Sequence, residues 1–111
     1  MVNPTLKQEI MQLEADFCSA LSDPTRIFIL YALNERPLNV TELTKELGIP
    51  QPTTSRHLKV LRERGLVYTE RQGTVITYYL ADRRVTQALD LLRSAMMDRL
   101  TQKASIVNEL G

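Results

Sequence analysis

Apolar residues recur at helical spacing near both ends of the chain, with charged and amide side chains between them. The set near the beginning is Leu6, Ile10, Leu13, Phe17 and Leu21, and the set near the end is Val85, Leu89, Leu92, Met96 and Leu100. A spacing of three or four residues places such side chains on one face of a helix. The pattern therefore predicts an amphipathic helix at each end, the last one running from about Arg83 to Leu110.

Three shorter helices are predicted between these two. The sequence Ser22-Asp23-Pro24 is a helix start signal, and dense apolar residues follow it over 24–34. Residues 39–42 have the form of a capping box, before a helix that ends near Gly48. A further helix over about 51–64 is closed by a glycine. Two short helices joined by a few residues that include glycine are typical of a helix-turn-helix.

Residues after the last of these helices predict a β-hairpin. Segments 66–71 and 74–80 are rich in β-branched and aromatic residues, and Gln72-Gly73 between them is suited to a tight turn. A hairpin in this place is the expected wing of a winged helix-turn-helix. We therefore predict one mainly α domain over 1–111 with a small β-hairpin and about five helices, in which 40–64 is the helix-turn-helix and 66–80 the wing.

Composition narrows the class of protein. The chain has 111 residues, 43% of them apolar, so it can build one ordinary core without a metal or disulfide. Cys18 is the only cysteine, which excludes an intramolecular disulfide and indicates a reducing cytoplasm. No stretch approaches the roughly 20 apolar residues of a membrane span, and we expect neither a signal peptide nor an anchor.

The charge distribution points to nucleic acid, although the net charge of +1 does not. Between positions 51 and 74 the chain has five cationic residues and two glutamates, so the net charge of this segment is +3. A helix fits the major groove, a hairpin can follow the adjacent backbone, and cations displace counterions from phosphates. The candidate DNA-binding residues are Gln51, Thr53, Thr54, Ser55, Arg56, His57 and Lys59 on the second helix of the pair, and Arg71, Gln72 and Thr74 on the wing. On an isolated helix the same residues would favour an ordinary solvated face.

Three segments resemble the ArsR/SmtB family of repressors: ALSDPTRIFILYAL at 20–33, VTELTKELGIPQPTTSRHLKVLRERGLV at 40–67, and the YYL that ends the hairpin. The similarity covers about 20–80. It implies a transcriptional repressor that dimerises through its first and last helices (1–21 and 83–110), binds a two-fold symmetric DNA operator and is released by an inducer. Family members often place a serine that caps the recognition helix where this chain has Pro50.

The signal to which such a repressor would respond is not evident from the residues. Metal-sensing relatives carry paired cysteines in the first helix of the helix-turn-helix, or carboxylate and histidine ligands along the last helix, and this chain has neither. We therefore predict no metal and no cofactor. His57, the only histidine, is expected to face DNA or to pack.

Cys18 and the methionines leave alternatives open. Cys18 is interpreted either as a small buried hydrophobe or as a redox thiol that pairs with its dimer mate or with a small thiol. Met11, Met96 and Met97 suit either an organic-ligand pocket or plain core. No inducer is named by these residues.

The sequence disfavours two other classes of function. A winged-helix module that binds protein instead of DNA uses the same fold, and the basic excess near the hairpin disfavours it. An enzyme is disfavoured because the sequence offers no nucleophile with a partnered base, no phosphate-binding glycine loop and no metal constellation.

Overall fold

The structure is a computed structural model that describes residues 2–110. Met1 and Gly111, which the predicted domain includes, lie outside the described residues. The described residues form five α-helices and three short strands. In chain order these are α1 (Pro4–Leu13), α2 (Pro24–Glu35), β1 (Leu38–Asn39), α3 (Val40–Leu47), α4 (Gln51–Glu63), β2 (Val67–Gln72), β3 (Val75–Leu80) and α5 (Arg83–Leu110).

Local side-chain chemistry sets the ends of the central helices. The Asp23 carboxylate accepts a hydrogen bond of 2.8 Å from the Thr25 amide and begins α2. The predicted capping box is present, because Asn39 Oδ1 accepts from the Glu42 amide at 2.8 Å and Glu42 Oε1 accepts from the Asn39 amide at 3.0 Å. Gly48 ends α3 in the left-handed region, at a φ of 66°.

The three strands form one antiparallel sheet in the order β1-β3-β2. The hairpin pairs Val67 with Leu80 and Gln72 with Val75, so its two-residue turn is Gly73-Thr74. The predicted turn at Gln72-Gly73 was therefore wrong by one residue. Gly73 takes a φ of 63° at the first turn position, where type II′ turns require glycine. The two-residue strand β1 was not predicted.

The core lies where α2, α3 and α4 meet the base of the sheet. Its fully buried side chains are Ile29, Leu30, Leu38, Leu43, Leu58, Leu61 and Leu66. Burying a side chain of this size contributes about 1.5–3 kcal/mol, so this group supplies most of the driving force for packing the helices together. The helix-turn-helix is thus anchored on α2.

The two terminal helices lie largely outside this core. The helix α1 buries no residue, and α5, which is about 42 Å long at 1.5 Å per residue, buries only Thr86 and Leu89 among the side chains described. The accessible surface is 8263 Å², whereas a compact monomer of 12.7 kDa is expected to expose about 6,200 Å². Its radius of gyration is 17.6 Å, against about 13 Å for a compact domain. A single chain therefore leaves both helices mostly uncovered.

The first helix is less regular than its apolar spacing predicted. After Leu13 it continues as a π-helical segment, Glu14–Cys18, closed by a hydrogen bond from the Ser19 amide to the Glu14 carbonyl. The extra residue in this turn rotates the helix face, so that Phe17 packs against the core while Leu13 stays exposed.

Candidate nucleic-acid interface

A pair of threonines, one half-buried and one fully buried, joins the two helices of the helix-turn-helix. The Thr44 hydroxyl donates to Thr54 Oγ1 at 3.1 Å, and the Thr54 hydroxyl donates to the Pro50 carbonyl at 3.3 Å. Thr54 is 0% exposed, so its hydroxyl is shielded from water; the bond from Thr44 holds α4 against α3, and the bond to Pro50 closes the first turn of α4.

One polar face of α4 is exposed. Gln51, Ser55 and Lys59 follow one another at intervals of four residues, and Arg56 lies beside them, while Thr53 is half-buried. Donors and acceptors of this kind suit both base edges and phosphate oxygens. The structure thus brings four of the predicted α4 residues to one accessible surface.

Two other predicted residues of α4 do not lie on that surface. Thr54 is fully buried and His57 is 6% exposed, because both belong to the helix face that packs on α3 and α2. Their side chains are not available to a DNA molecule on the outside of α4, so the predicted contact set is corrected by removing them. For His57 the structure favours packing, which was one of its two expected roles.

His57 is held by a polar contact that crosses 31 positions of sequence. Its Nδ1 lies 3.3 Å from Arg26 Nη1, and Arg26 Nε donates to the Ala20 carbonyl at 2.6 Å. A guanidinium only donates, so Nδ1 accepts and the ring proton sits on Nε2. Burial lowers the pKa of His57; Arg26 and Arg56 lower it further, and the Asp23 carboxylate opposes the shift. The neutral ring therefore links α4 to the end of the first helix.

The tip of the wing presents the remaining predicted residues. Arg71, Gln72 and Thr74 are all exposed around the turn, and Arg71 Nε donates to the Gly73 carbonyl at 3.1 Å. Further down the hairpin, the rings of Tyr68 and Tyr79 stack with their centroids 5.0 Å apart. Stacked cross-strand aromatics stiffen a two-stranded ribbon, so the tip extends from a firm base.

The basic residues counted in the sequence divide into two groups. Arg56, Lys59, Arg62 and Arg71 are exposed, and within residues 2–110 none of them forms an ion pair. Arg64 instead turns toward the first helix, where it donates to the Ala15 carbonyl and lies 3.7 Å from Asp16. Four cations on α4 and the wing therefore remain for a polyanion.

The N-terminus of α4 is open. Pro50 occupies the N-cap position, and no side chain of the described region caps this end of the helix. Proline has no side-chain acceptor. Because it stands where family members often have a capping serine, the first backbone N–H groups of α4 are left to bind water or an anion.

Cys18 and the three methionines, the candidate sensing residues, are exposed and not buried in the core of the single chain. The interpretation of Cys18 as a buried hydrophobe was wrong, because its side chain is exposed. Met11, Met96 and Met97 are also more than half exposed, so they are not core of the single chain. Within residues 2–110 no group of three histidine, cysteine or acidic side chains is placed to hold a metal ion, and no helix is long and apolar enough to cross a membrane.

This arrangement defines the class of protein. A helix-turn-helix whose second helix is exposed and basic, followed by a two-stranded wing, is a winged helix-turn-helix, as predicted. Residues 23–69 match the family model described as "Bacterial regulatory protein, arsR family". The chain belongs to this ArsR family, whose members are transcriptional regulators.

Similar proteins place the chain within the family. It is 43% identical over 76 residues to the HTH-type transcriptional regulator NmtR of Mycobacterium tuberculosis, an alignment that covers 68% of this chain and 63% of NmtR. It is 37% identical over 94 residues to the transcriptional repressor SmtB of the same species, covering 84% of this chain and 70% of SmtB. The alignment with NmtR thus spans less than two thirds of that protein.

A solved structure agrees with the fold. The homodimeric winged helix-turn-helix DNA-binding domain of Mb0332 from Mycobacterium bovis, determined in solution, superposes with a TM-score of 0.73 at 26% identity. The superposition covers 85% of this chain and 87% of that one. The predicted fold class and family are confirmed.

Proposed function

We propose that the protein is a repressor that binds operator DNA as a homodimer, with α4 in the major groove and the wing against the flanking backbone. The observation that carries this proposal is the surface formed by Arg56, Lys59, Arg62 and Arg71, where four exposed cations have no acidic partner within the described region. Such a surface attracts a polyanion even on a protein with a net charge of only +1, because binding releases the counterions of the phosphates.

The proposed DNA contacts are of two kinds, to base edges and to phosphates, and the chemistry of each side chain assigns it to one of them. Gln51 suits bidentate pairing with adenine and Arg56 with guanine, and either one can read a base edge from the exposed face of α4. Lys59, Arg71, Gln72 and Thr74 are assigned to phosphates on either side, with Ser55 and Thr53 near the helix N-terminus. The uncapped backbone N–H groups of Gln51 and Thr53 supply a further phosphate site at the start of the helix.

The homodimer is proposed from the surface that a single chain leaves uncovered. The excess over a compact monomer is about 2,000 Å² per chain, and obligate homodimers bury about 1,000–2,500 Å² per partner. The exposed apolar residues of α1 and α5 supply this area, among them Leu6, Ile10, Leu92, Met96 and Leu100. A two-fold dimer presents two α4 helices, so its operator should have two-fold symmetry.

Release from the operator by an inducer is proposed from family membership, and no chemistry on the described surface names that inducer. A redox signal would have to act through Cys18, because it is the only thiol, and its exposure on the single chain supports access. Because the proposed partner is chromosomal DNA, we assign the protein to the cytoplasm of its cell.

The proposal is tested by footprinting the purified protein on the DNA upstream of its own gene. The expected result is one protected region with two-fold symmetry. Arg56→Ala should weaken binding about 30-fold or more, because the dimer loses two bidentate base contacts at about 1–3 kcal/mol each. Arg99→Ala removes the same charge from α5 and serves as the control. Equal binding by both variants would refute the assignment of α4.

The same purified protein and DNA also distinguish DNA binding from the alternative, a winged-helix module that binds protein. If the protein binds no genomic fragment at any salt concentration, the winged helix is a protein-interaction module. The effect of oxidant on wild type and on Cys18→Ser then decides the thiol's role, since a redox sensor requires a response in the first that is lost in the second.

A further inference from the structure

Two backbone carbonyls near the end of the first helix lack the amide that a regular α-helix would supply. The Ser19 amide donates to the Glu14 carbonyl in the π-helical segment, and not to the Ala15 carbonyl, which is its acceptor in an α-helix. Ala20 has Pro24 four residues after it, and proline has no N–H to donate. Each carbonyl therefore needs a donor from elsewhere in the chain.

The guanidinium of Arg64 donates to the first of these carbonyls. Arg64 is the C-cap residue of α4, and the Ala15 carbonyl that it contacts also accepts from the Ser19 hydroxyl at 2.7 Å. The same guanidinium lies 3.7 Å from Asp16, whose carboxylate accepts from the Gln12 side-chain amide at 2.6 Å. The C-terminal end of α4 is therefore joined to the segment that departs from the α-helix.

Arg26 donates to the second carbonyl and also to the middle of α4. Its Nε donates to the Ala20 carbonyl at 2.6 Å, and its Nη1 donates to His57 Nδ1 at 3.3 Å. Ala20 and His57 are both buried, so water competes little for these hydrogen bonds. One side chain of α2 thus connects the end of the first helix with α4.

The two points of attachment lie on the face of α4 opposite the proposed DNA-reading face. His57 and Arg64 are seven residues apart, which is two turns and about 10 Å along the helix, so they share one face. The exposed residues Ser55 and Lys59 are each two positions from His57, which places them about 200° around the helix axis. A helix held at two points of its inner face keeps a fixed angle to the segment that holds it.

We propose that Arg26 and Arg64 are positioning residues for DNA recognition, which set the angle of α4 to the first helix without touching DNA themselves. The inference rests on the proposed function. In the proposed homodimer this angle also sets the separation of the two α4 helices, and with it the half-site spacing that the operator must have. The two arginines therefore determine which operators are bound as well as how tightly.

Operators that differ in half-site spacing test the role of Arg64. Binding to the operator that footprinting defines is compared with binding to the same operator lengthened by one base pair at its centre, which rotates one half-site by about 35°. The wild type should bind the lengthened operator about tenfold or more weakly, and Arg64→Gln should bring this ratio to about threefold or less. Arg64→Lys, which keeps a donor for the Ala15 carbonyl, should retain the wild-type ratio.

Arg62→Gln is the matched control. Arg62 has the same charge two positions earlier in α4, but it is exposed and has no acidic partner among the described residues. Its substitution should weaken binding to both operators and leave their ratio unchanged. An Arg64→Gln ratio equal to that of the wild type, or an equal loss of the ratio in Arg62→Gln, would overturn the proposal.

The distance between the two α4 helices of the dimer is a second readout, and it needs no DNA. In a Cys18→Ser background, a spin label on Gln51→Cys marks the N-terminal end of α4 in each chain. The parent should give one narrow distance, and adding Arg64→Gln or Arg26→Lys should remove it in favour of a broad distribution. A lysine at position 26 keeps the charge, but its ammonium lacks the planar fork that donates to two separate acceptors. A distance as narrow as the parent's in both variants contradicts the proposal.

These results also separate the positioning role from the proposed function. Operator binding by the wild type, with an unchanged ratio and an unchanged distance in the variants, refutes the positioning role and leaves the proposed function standing. Absence of operator binding by the wild type, or absence of any distance between labels because the chain is a monomer, refutes the proposed function itself.

Discussion

Replacing Lys59 by glutamine should change how steeply DNA binding depends on salt. Lys59 is exposed near the middle of α4 and has no acidic partner among the described residues. If its ammonium group neutralises a phosphate, each bound chain releases one counterion through it. A two-fold dimer counts every such contact twice, so a single substitution removes two.

The expected magnitude follows from the number of exposed cations. Arg56, Lys59, Arg62 and Arg71 make four per chain and eight per dimer, which sets the steepest slope of log affinity against log salt at about −7. Lys59→Gln should bring it to about −5. Between 50 and 200 mM salt, the wild-type affinity should then fall about tenfold more than that of the variant.

Fluorescence anisotropy of a labelled operator over this salt range gives both slopes. Arg64→Gln is the control, since Arg64 has the same charge and lies in the same basic segment, but its guanidinium bonds to Ala15 and Asp16 of the first helix. The control should keep the wild-type slope whatever its affinity. If Arg64→Gln flattens the slope as much as Lys59→Gln does, the proposed orientation of α4 on DNA is incorrect.

Three further substitutions test the fold at fixed protein concentration by urea unfolding. Asn39→Ala should lower the unfolding free energy by about 1 kcal/mol because the first amides of α3 lose their cap, and no change would contradict the role of the capping box. Gly48→Ala should cost about 1 kcal/mol through its φ of 66° alone, since a methyl group there meets no atom within 4 Å; a larger loss would mean that crowding contributes. Burial holds the folded pKa of His57 below 6.5, so the unfolded chain takes up the proton first and stability should fall as the pH drops below 6.5. His57→Gln, which keeps an acceptor for Arg26, should show a weaker decline between pH 6.5 and 5, and an unchanged pH profile would exclude His57 as its source.

Much of the fold could be predicted because its signals are local. The cap at Asn39 and the glycine at Gly48 mark the ends of α3 with chemistry that needs no distant partner. The hairpin was predicted from its β-branched residues, but the position of the turn depends on strand register. Register is set by packing of Val67 and Leu80 at the base of the sheet, so the turn was placed one residue early.

The DNA-binding residues could be predicted as a group, but the sequence did not show which of them are exposed. Thr54 shares its spacing with Leu58 and Leu61, and that period would have placed it on the buried face of α4. The same period includes His57, three residues after Thr54. What no local pattern shows is the polar partner of His57 or of Arg64, because Arg26 and Ala15 are 31 and 49 positions away. The π-helical segment Glu14–Cys18, which includes Ala15, was not predicted either.

The uncovered state of α1 and α5 links the amount of protein in the cell to its activity. An isolated helix of ten residues is marginal in water, and α1 has no buried side chain in its own chain to offset that cost. Its order must then be supplied by association, so assembly and the final ordering of the chain occur together and depend on concentration. Below the dissociation constant of the proposed homodimer, most chains would be unpaired with one α4 each, and occupancy of the proposed two-fold operator should rise with the square of expression. A regulator built in this way would respond sharply to its own abundance.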